Sequence, residues 1–441
     1  MHPKPIKISK LLKYKIMPKK ILLLITQDHG GAGEYIYKLA KILFDQGHQV
    51  AMVVKEKTKT DEFIVQYDSV KQKEPFFLKI INKLNRKKRK IKLDPKYCFY
   101  SLDELNPTVD TDILINKIGF VPEFIFSGWT AFFLNSADVL SLQKKTGAKV
   151  FTFLVDMNHL TGGCHYAWDC KGYVYGCSEC PAILSEKHKG RAKVNFEAKF
   201  KNAHEGNFKI ISGSGWTLKQ AKESKIYRDQ DKFLNINSLI DTKVMTLTDK
   251  NKAKDFFNLD HDKFYILMGS QYGNDPRKGY EYLLESLKIL HAELEEDQRS
   301  KINIIIVSSG KTKSFDEIPF EKTHLDYIKD YKKLSLLYQS IDVFVNSSVE
   351  DSGPMMVSEA LACGTPTVGF DMGIVNNMVI TGYNGYKAKL KDAKDLSKGI
   401  KTIFELSPSE YQKFSENAVN QIREFSSLEF GAAVINEILT E

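Results

Sequence analysis

The sequence predicts an α/β protein made of two Rossmann-like domains, each built on a parallel sheet. Three observations predict it. The chain has 441 residues, more than one core usually serves and suited to two domains of about 200 residues each. Short, continuously apolar runs alternate with segments of helical period in both halves, as repeated β-α-β units require. A polar stretch rich in Lys and Asp, 243–255, separates the halves.

In the first half, 21–26 reads as a buried parallel strand. Asp28-His29-Gly30-Gly31-Ala32-Gly33 turns the chain into a helix whose face carries Ile36, Leu39, Ala40 and Leu43, and Gly47 stops it. Residues 49–54 form the next strand. Gly30 and Gly31 lie where backbone amides and a helix N-terminus can meet a phosphate or a sugar; the same glycines equally serve a tight turn. Further strands are expected at 111–116, 149–155 and 209–212, with a helix from Thr217. The second half opens with a strand at 264–269, a loop from Ser270 to Gly279, and a helix carrying Tyr280, Leu283, Leu284 and Leu287. Strands at 302–307, 342–346 and 365–370 and helices at 334–338 and 355–363 follow. Three helices, 393–405, 408–424 and 427–440, close the chain. Two such halves leave a cleft between the carboxyl ends of their strands, where ligands usually bind.

Composition narrows the function classes. Hydrophobic residues at 42% and charged residues at 27% are an ordinary balance for a water-soluble chain. No apolar run approaches the roughly 20 residues needed to span a bilayer. The basic start, 1–20, lacks the apolar stretch of a secretory signal, so a cytoplasmic protein is expected. The net charge of +9 favours anionic partners. The chain carries no zinc-finger, helix-turn-helix or RNA-binding signature, so nucleic acid is not among the expected partners.

The most informative segment runs Glu350-Asp351-Ser352-Gly353-Pro354-Met355-Met356-Val357-Ser358-Glu359-Ala360-Leu361-Ala362-Cys363-Gly364-Thr365-Pro366. Acidic residues end a strand, a Gly-Pro turn follows, and a helix begins. Gly353, Met355 and Met356 would offer free amides to a diphosphate or to sugar hydroxyls. Glu359, about a turn further on, can accept paired hydrogen bonds from a ribose. Upstream, Arg277-Lys278-Gly279 sets two cations before a helix, an arrangement that neutralises a phosphate pair.

This segment resembles the signature of the retaining, glycogen-synthase-like glycosyltransferases of family 4: an acid, a spacer, a second Glu, then a stretch like Ala-Cys-Gly-Thr-Pro. Either Glu350 or Asp351 matches the first acid. Lys278-Gly279 stands where that family holds the donor diphosphate, and Ser270 stands where many relatives carry an arginine. Asn237-Ser238-Leu239-Ile240-Asp241 is similar to the family's interdomain linker. Asp156-Met157 and Thr161-Gly162-Gly163-Cys164-His165-Tyr166 resemble the cysteine-containing subgroup of exopolysaccharide and colanic acid enzymes. Those usually read His-Asp-Met, and Val155 replaces the histidine here. Asp156 then remains to orient the acceptor hydroxyl, or serves only as a cap.

The resemblance implies the GT-B fold, with two Rossmann-like domains facing a cleft. It implies a basic segment at 1–18, an acceptor domain at 19–242, a nucleotide-sugar domain at 243–425 and a last helix, 426–441, crossing back to the first. It implies retaining transfer of a hexose from a nucleotide diphosphate sugar to a glycan or lipid-linked glycan in polysaccharide synthesis, with no catalytic cofactor. Rival readings are a sugar-nucleotide epimerase of the same fold and a degenerate binding protein.

Two features stand apart. Of six cysteines, Cys164, Cys170, Cys177 and Cys180 crowd together. Structural zinc, reduced buried thiols and a redox pair are all open readings. Phe76, Phe77, Ile80, Ile81 and Leu84 share a helical face beside Lys83, Arg86, Lys87, Lys88, Arg89, Lys90 and Lys92. That pattern suits either an anionic membrane surface, at the inner face of the membrane, or a solvated charge run.

Overall fold

The structure is a computed structural model that describes residues 17–67, 91–101, 103–269, 275–308 and 313–440. Its described residues divide into two compact units: one holds those of 17–212 and 217–235, the other those of 213–216 and 236–440.

The first unit is a parallel sheet of seven strands in the order β3-β2-β1-β4-β5-β6-β7. Its strands are β1 (Lys20–Gln27), β2 (Gln49–Glu56), β3 (Ile64–Gln66), β4 (Phe124–Ser127), β5 (Lys149–Leu154), β6 (Lys209–Ser212) and β7 (Leu234–Asn235). Ile21, Leu22, Leu23, Leu24 and Ile25 have no solvent exposure. Both faces of the sheet are covered, so β1 reads as a continuous apolar run and not an alternating one. Helix α1 (Gly30–Asp45) follows it, burying Ile36, Leu39, Ala40 and Leu43. Helix and strand press so closely that a Cβ on Gly33 would lie 2.7 Å from the Gln27 carbonyl oxygen.

One expected strand is a helix. Residues 111–116 belong to α2 (Thr111–Ile118). The Asp110 carboxylate accepts from the amides of Asp112 and Ile113, and Gly119, at φ +74°, ends the helix. The strand of this region is β4, which pairs with β1 and β5. A short apolar run does not by itself separate strand from helix; the acidic cap and the glycine stop decide. Helix α3 (Ser136–Thr146) packs on a longer helix spanning Arg191–Glu205. Between β5 and that longer helix, α4 is a short turn at Gly172–Tyr175, and the longer helix is α5. Helix α6 is Gly215–Glu223.

The second unit has a six-stranded parallel sheet in the order β10-β9-β8-β11-β12-β13. These are β8 (Phe264–Gly269), β9 (Ile302–Ser308), β10 (Glu321–Asp326), β11 (Val343–Asn346), β12 (Thr367–Phe370) and β13 (Gly385–Ala388). Its helices are α7 (Lys250–Phe256), α8 (Tyr280–Glu293), α9 (Glu296–Ser300), α10 (Tyr331–Ser340), α11 (Met355–Ala362), α12 (Val375–Met378), α13 (Ala393–Phe404), α14 (Pro408–Phe425) and α15 (Leu428–Thr440). The core gathers Leu267, Ile305, Phe344, Val357 and Leu361. In each sheet the first strand of the unit lies inside, and strand order reverses beside it: at β1/β4 and at β8/β11. Such switch points open a crevice beyond the carboxyl ends of the strands.

Candidate functional site

In the second unit, the crevice at β8/β11 is a hollow open to solvent. Met268, Asn346, Lys278, Pro354 and Met356 are among its lining. Local sequence explains how they meet. Asp275 caps a short turn, Pro276–Lys278, by accepting from the Arg277 amide. Gly279 then takes φ +59°, and a Cβ there would stand 2.1 Å from the Ser347 carbonyl oxygen. Only glycine lets the two loops approach so closely. Ser347 Oγ donates to the Lys278 carbonyl at 2.8 Å, and the Val349 amide donates to the Arg277 carbonyl at 2.8 Å. The basic loop is thereby stitched to the acidic one.

The charges in these loops pair. Lys278 Nζ donates to Asp351 Oδ2 at 2.5 Å, and the Gly353 amide donates to Asp351 Oδ1 at 3.1 Å. Burial opposes ionisation of Asp351, but the Lys278 charge and these hydrogen bonds outweigh it and hold the carboxyl below its ordinary value. Arg277 forks onto Asp275, with Nη2 to Oδ2 at 2.6 Å. Glu350 is buried, and its amide donates to the Arg277 carbonyl at 3.3 Å. Helix α11 starts at Met355 behind Pro354, with no side-chain cap, so first-turn amides are left to other partners. Glu359 sits on the buried side of α11, where Tyr338 donates its hydroxyl to Oε2 at 3.0 Å. One residue escaped the sequence reading. Asn346, at the end of β11, lines the hollow; its Oδ1 accepts from Ser348 Oγ, while its buried Nδ2 has no partner among the described residues. An orphan buried donor is costly unless a ligand or water completes it.

In the first unit, Gly30 has φ +71°, and a Cβ on Gly31 would meet nothing within 4 Å. His29 precedes α1 without a side-chain cap. Asp156 follows β5 and is buried against His165, Oδ2 to Nδ1 2.6 Å, while the Asn158 amide donates to Oδ1 at 2.8 Å. Burial opposes its charge too, but the His165 contact prevails and the carboxyl lies below its ordinary value. Trp129 Nε1 also stands 3.0 Å from His165 Nδ1. One nitrogen cannot donate to a carboxylate and accept from an indole at once. The shorter contact and the ionised carboxylate assign the Nδ1 proton to the bond with Asp156. Above this pair lies an aromatic patch that sequence periodicity gave no sign of. Tyr100 packs on Phe132 and on His165, each with ring centroids 4.8 Å apart, and Trp129 meets Phe132 edge-on. Phe132 is 61% exposed and takes φ +65°, a strained backbone for a bulky residue.

Cys164, Cys170, Cys177 and Cys180 line one small cavity of the first unit. As the side chains stand, no three His, Cys, Asp or Glu among the described residues are placed to share a metal ion. Cys98 and Cys363 lie elsewhere. The basic apolar segment at 76–90 and Ser270 fall outside the described residues. No helix among the described residues is long and apolar enough to cross a membrane.

Residues 249–421, within the second unit, match the family described as Glycosyl transferases group 1. A curated relative, the UDP-N-acetylglucosamine--peptide N-acetylglucosaminyltransferase GtfA subunit of Streptococcus pneumoniae, is 25% identical over 292 residues, covering 62% of this chain and 53% of that protein. This chain spans about half the length, or less, of the curated relatives it matches. A glycosyltransferase from Rickettsia africae superimposes with a TM-score of 0.61 at 15% identity, over 96% of this chain and 100% of that one. The Anabaena protein HepE, solved in complex with UDP-glucose, gives 0.57 at 14% identity, over 96% and 98%. The fold is the GT-B fold of these glycosyltransferases.

Proposed function

We propose that this chain, whose second unit carries a glycosyltransferase group 1 sequence in a GT-B fold, moves a hexose from a nucleotide diphosphate sugar to a hydroxyl of a glycan or lipid-linked glycan, with retention at the anomeric carbon. The observation that carries the reading is the hollow at the β8/β11 switch point. Lys278, the start of α11 and the orphan amide of Asn346 all border it. A cation, helix-start amides and a buried donor suit one ligand class, an anionic nucleotide.

In this reading Lys278 gives a charge-assisted hydrogen bond to the diphosphate, and the amides of Gly353, Met355 and Met356 share the load. Glu359, steadied by Tyr338, holds the ribose. Both oxygens of Asp351 serve Lys278 and Gly353, so Asp351 positions the lysine, and it or its neighbour Glu350 is the acid beside the hexose. The bond from the anomeric carbon to the phosphate oxygen breaks with its electron pair going to the diphosphate, where Lys278 stabilises the growing charge. The acceptor oxygen attacks from the same side, and its proton passes to the departing phosphate oxygen. Arg277, tied to Asp275, contributes through the field of its charge more than by contact. In the first unit, Gly30 and Gly31 keep backbone open to the ligand. The exposed faces of Tyr100 and Phe132 stack an acceptor sugar ring, and Asp156 acts through His165.

Product analysis tests this. The chain is incubated with a panel of nucleotide sugars, with and without glycan-lipid acceptors, and the new linkage is read by NMR. A glycoside of the donor's own anomeric configuration supports the reading. A modified free sugar formed without any acceptor means an epimerase, and an inverted linkage removes the retaining mechanism.

A further inference from the structure

The cysteine cluster belongs to no part of the chemistry above. Its four members come from four places along 164–180, yet all line one cavity with Tyr97, Thr161 and Gly172. The backbone around them is bent to bring this about. Cys177 sits at φ +55°, in the left-handed region that non-glycine residues seldom enter, directly after Gly176 at φ +119°. A Cβ on Gly172 would stand 3.3 Å from Cys170 Sγ and 3.6 Å from Cys177 Sγ, so the chain passes between two sulfurs at a residue without a side chain.

Backbone amides are turned on the sulfurs. The Gly172 amide donates to Cys170 Sγ at 3.3 Å, and the Gly162 amide donates to Cys177 Sγ at 3.3 Å. A neutral thiol is a weak acceptor, whereas a thiolate is a strong one. Amides turned on two sulfurs of one cavity suit negative charge there. Four thiolates in it would need a cation, and four sulfurs are the ligand set of a closed tetrahedral zinc site.

We propose that Cys164, Cys170, Cys177 and Cys180 together bind one zinc ion that fixes the loop between β5 and α5. The sulfurs line the walls of one cavity without sharing a centre as they stand, and the ion would draw them together onto one. Binding converts four thiols to thiolates and releases four protons to water, leaving a zinc tetrathiolate whose charge the inward amides offset. With all four positions filled by sulfur, the ion takes no substrate. Its work is to hold the loop that carries His165, the neighbour of Cys164 and the partner of Asp156. The site stands whether or not the chain transfers sugar.

The test is elemental analysis of the full chain, purified without chelating resins from zinc-supplemented cells. The expected result is about one zinc per chain, released by a mercurial thiol reagent and regained when the reagent is removed by excess thiol. Cys177→Ser should lose at least about nine-tenths of the metal, while Cys98→Ser keeps it. Release and recapture on the wild-type protein decide the matter even if Cys177→Ser does not fold. Protein with less than a tenth of an equivalent of zinc, four titratable thiols in this stretch and no uptake of added zinc would overturn the proposal. So would a disulfide within 164–180 found by peptide mapping of freshly prepared protein.

Discussion

Lys278 and Asp351 show how much the local charges constrain one another. The ammonium lies 2.5 Å from the carboxylate, so an incoming diphosphate competes for a lysine that is already oriented. A charge-assisted hydrogen bond contributes about 1.5–3 kcal/mol, or roughly 10- to 150-fold. Lys278→Ala should therefore cut donor turnover by at least about 10-fold with the circular dichroism spectrum unchanged. Asn346→Ala removes a donor that has no partner among the described residues; it should weaken nucleotide diphosphate binding about 2- to 10-fold without lowering the melting temperature. Unchanged affinity in a calorimetric titration would remove Asn346 from the site. Asp156 gives a pH signature. Its folded value lies below the ordinary 3.8, so its contribution to stability is fully present above that pH and is lost as pH falls through the lower folded value. Asp156→Asn should lower stability at neutral pH and flatten the loss of stability on acidification below about pH 4, measured by denaturant titration at several pH values.

Loops and helix starts carry the site, and their legibility differs. The run from Glu350 to Pro366 is contiguous, so strand end, Gly-Pro turn and helix start could all be read from the order of residues. Gly279 was legible as the end of the basic loop but its clamp was not, because the cause, the approach of Ser347, lies far along the chain. Gly279→Ala places a methyl 2.1 Å from the Ser347 carbonyl oxygen and at φ +59°. It should cost at least about 1–3 kcal/mol and separate the basic loop from the acidic one. A melting temperature within a degree of wild type, with donor turnover intact, would contradict that clamp. The aromatic patch was illegible for the same reason: Tyr100, Trp129, Phe132 and His165 come from three stretches, and no periodicity links them. Phe132→Ala should raise the acceptor KM several-fold and leave the affinity for nucleotide diphosphate unchanged. Helix α2 was misread because a run of six residues with three aliphatics has no period long enough to reveal itself; its cap at Asp110 was the better signal.

At the scale of the molecule, the two units repeat one plan: a parallel sheet whose strand order reverses beside an inner first strand. Buried strands such as β1 and β9 were legible because both faces are covered, which forces unbroken apolar runs. Edge strands were not. Residues 321–326 of β10 are all either exposed or half-buried, as those of short polar loops are. The family match is confined to 249–421, the unit proposed to bind the donor. Donors share a nucleotide diphosphate, whereas acceptors differ, so an acceptor-binding unit has less chemistry in common with its relatives. The central claim is that Lys278 and its neighbours turn over a nucleotide sugar. Release of nucleoside diphosphate from a panel of uridine, guanosine and adenosine diphosphate sugars, with a glycan-lipid acceptor present, tests it directly. Acceptor-dependent release from at least one donor is expected, reduced by at least about 10-fold in Lys278→Ala. Release at the wild-type rate by Lys278→Ala, or no release from any donor in the panel, would contradict it.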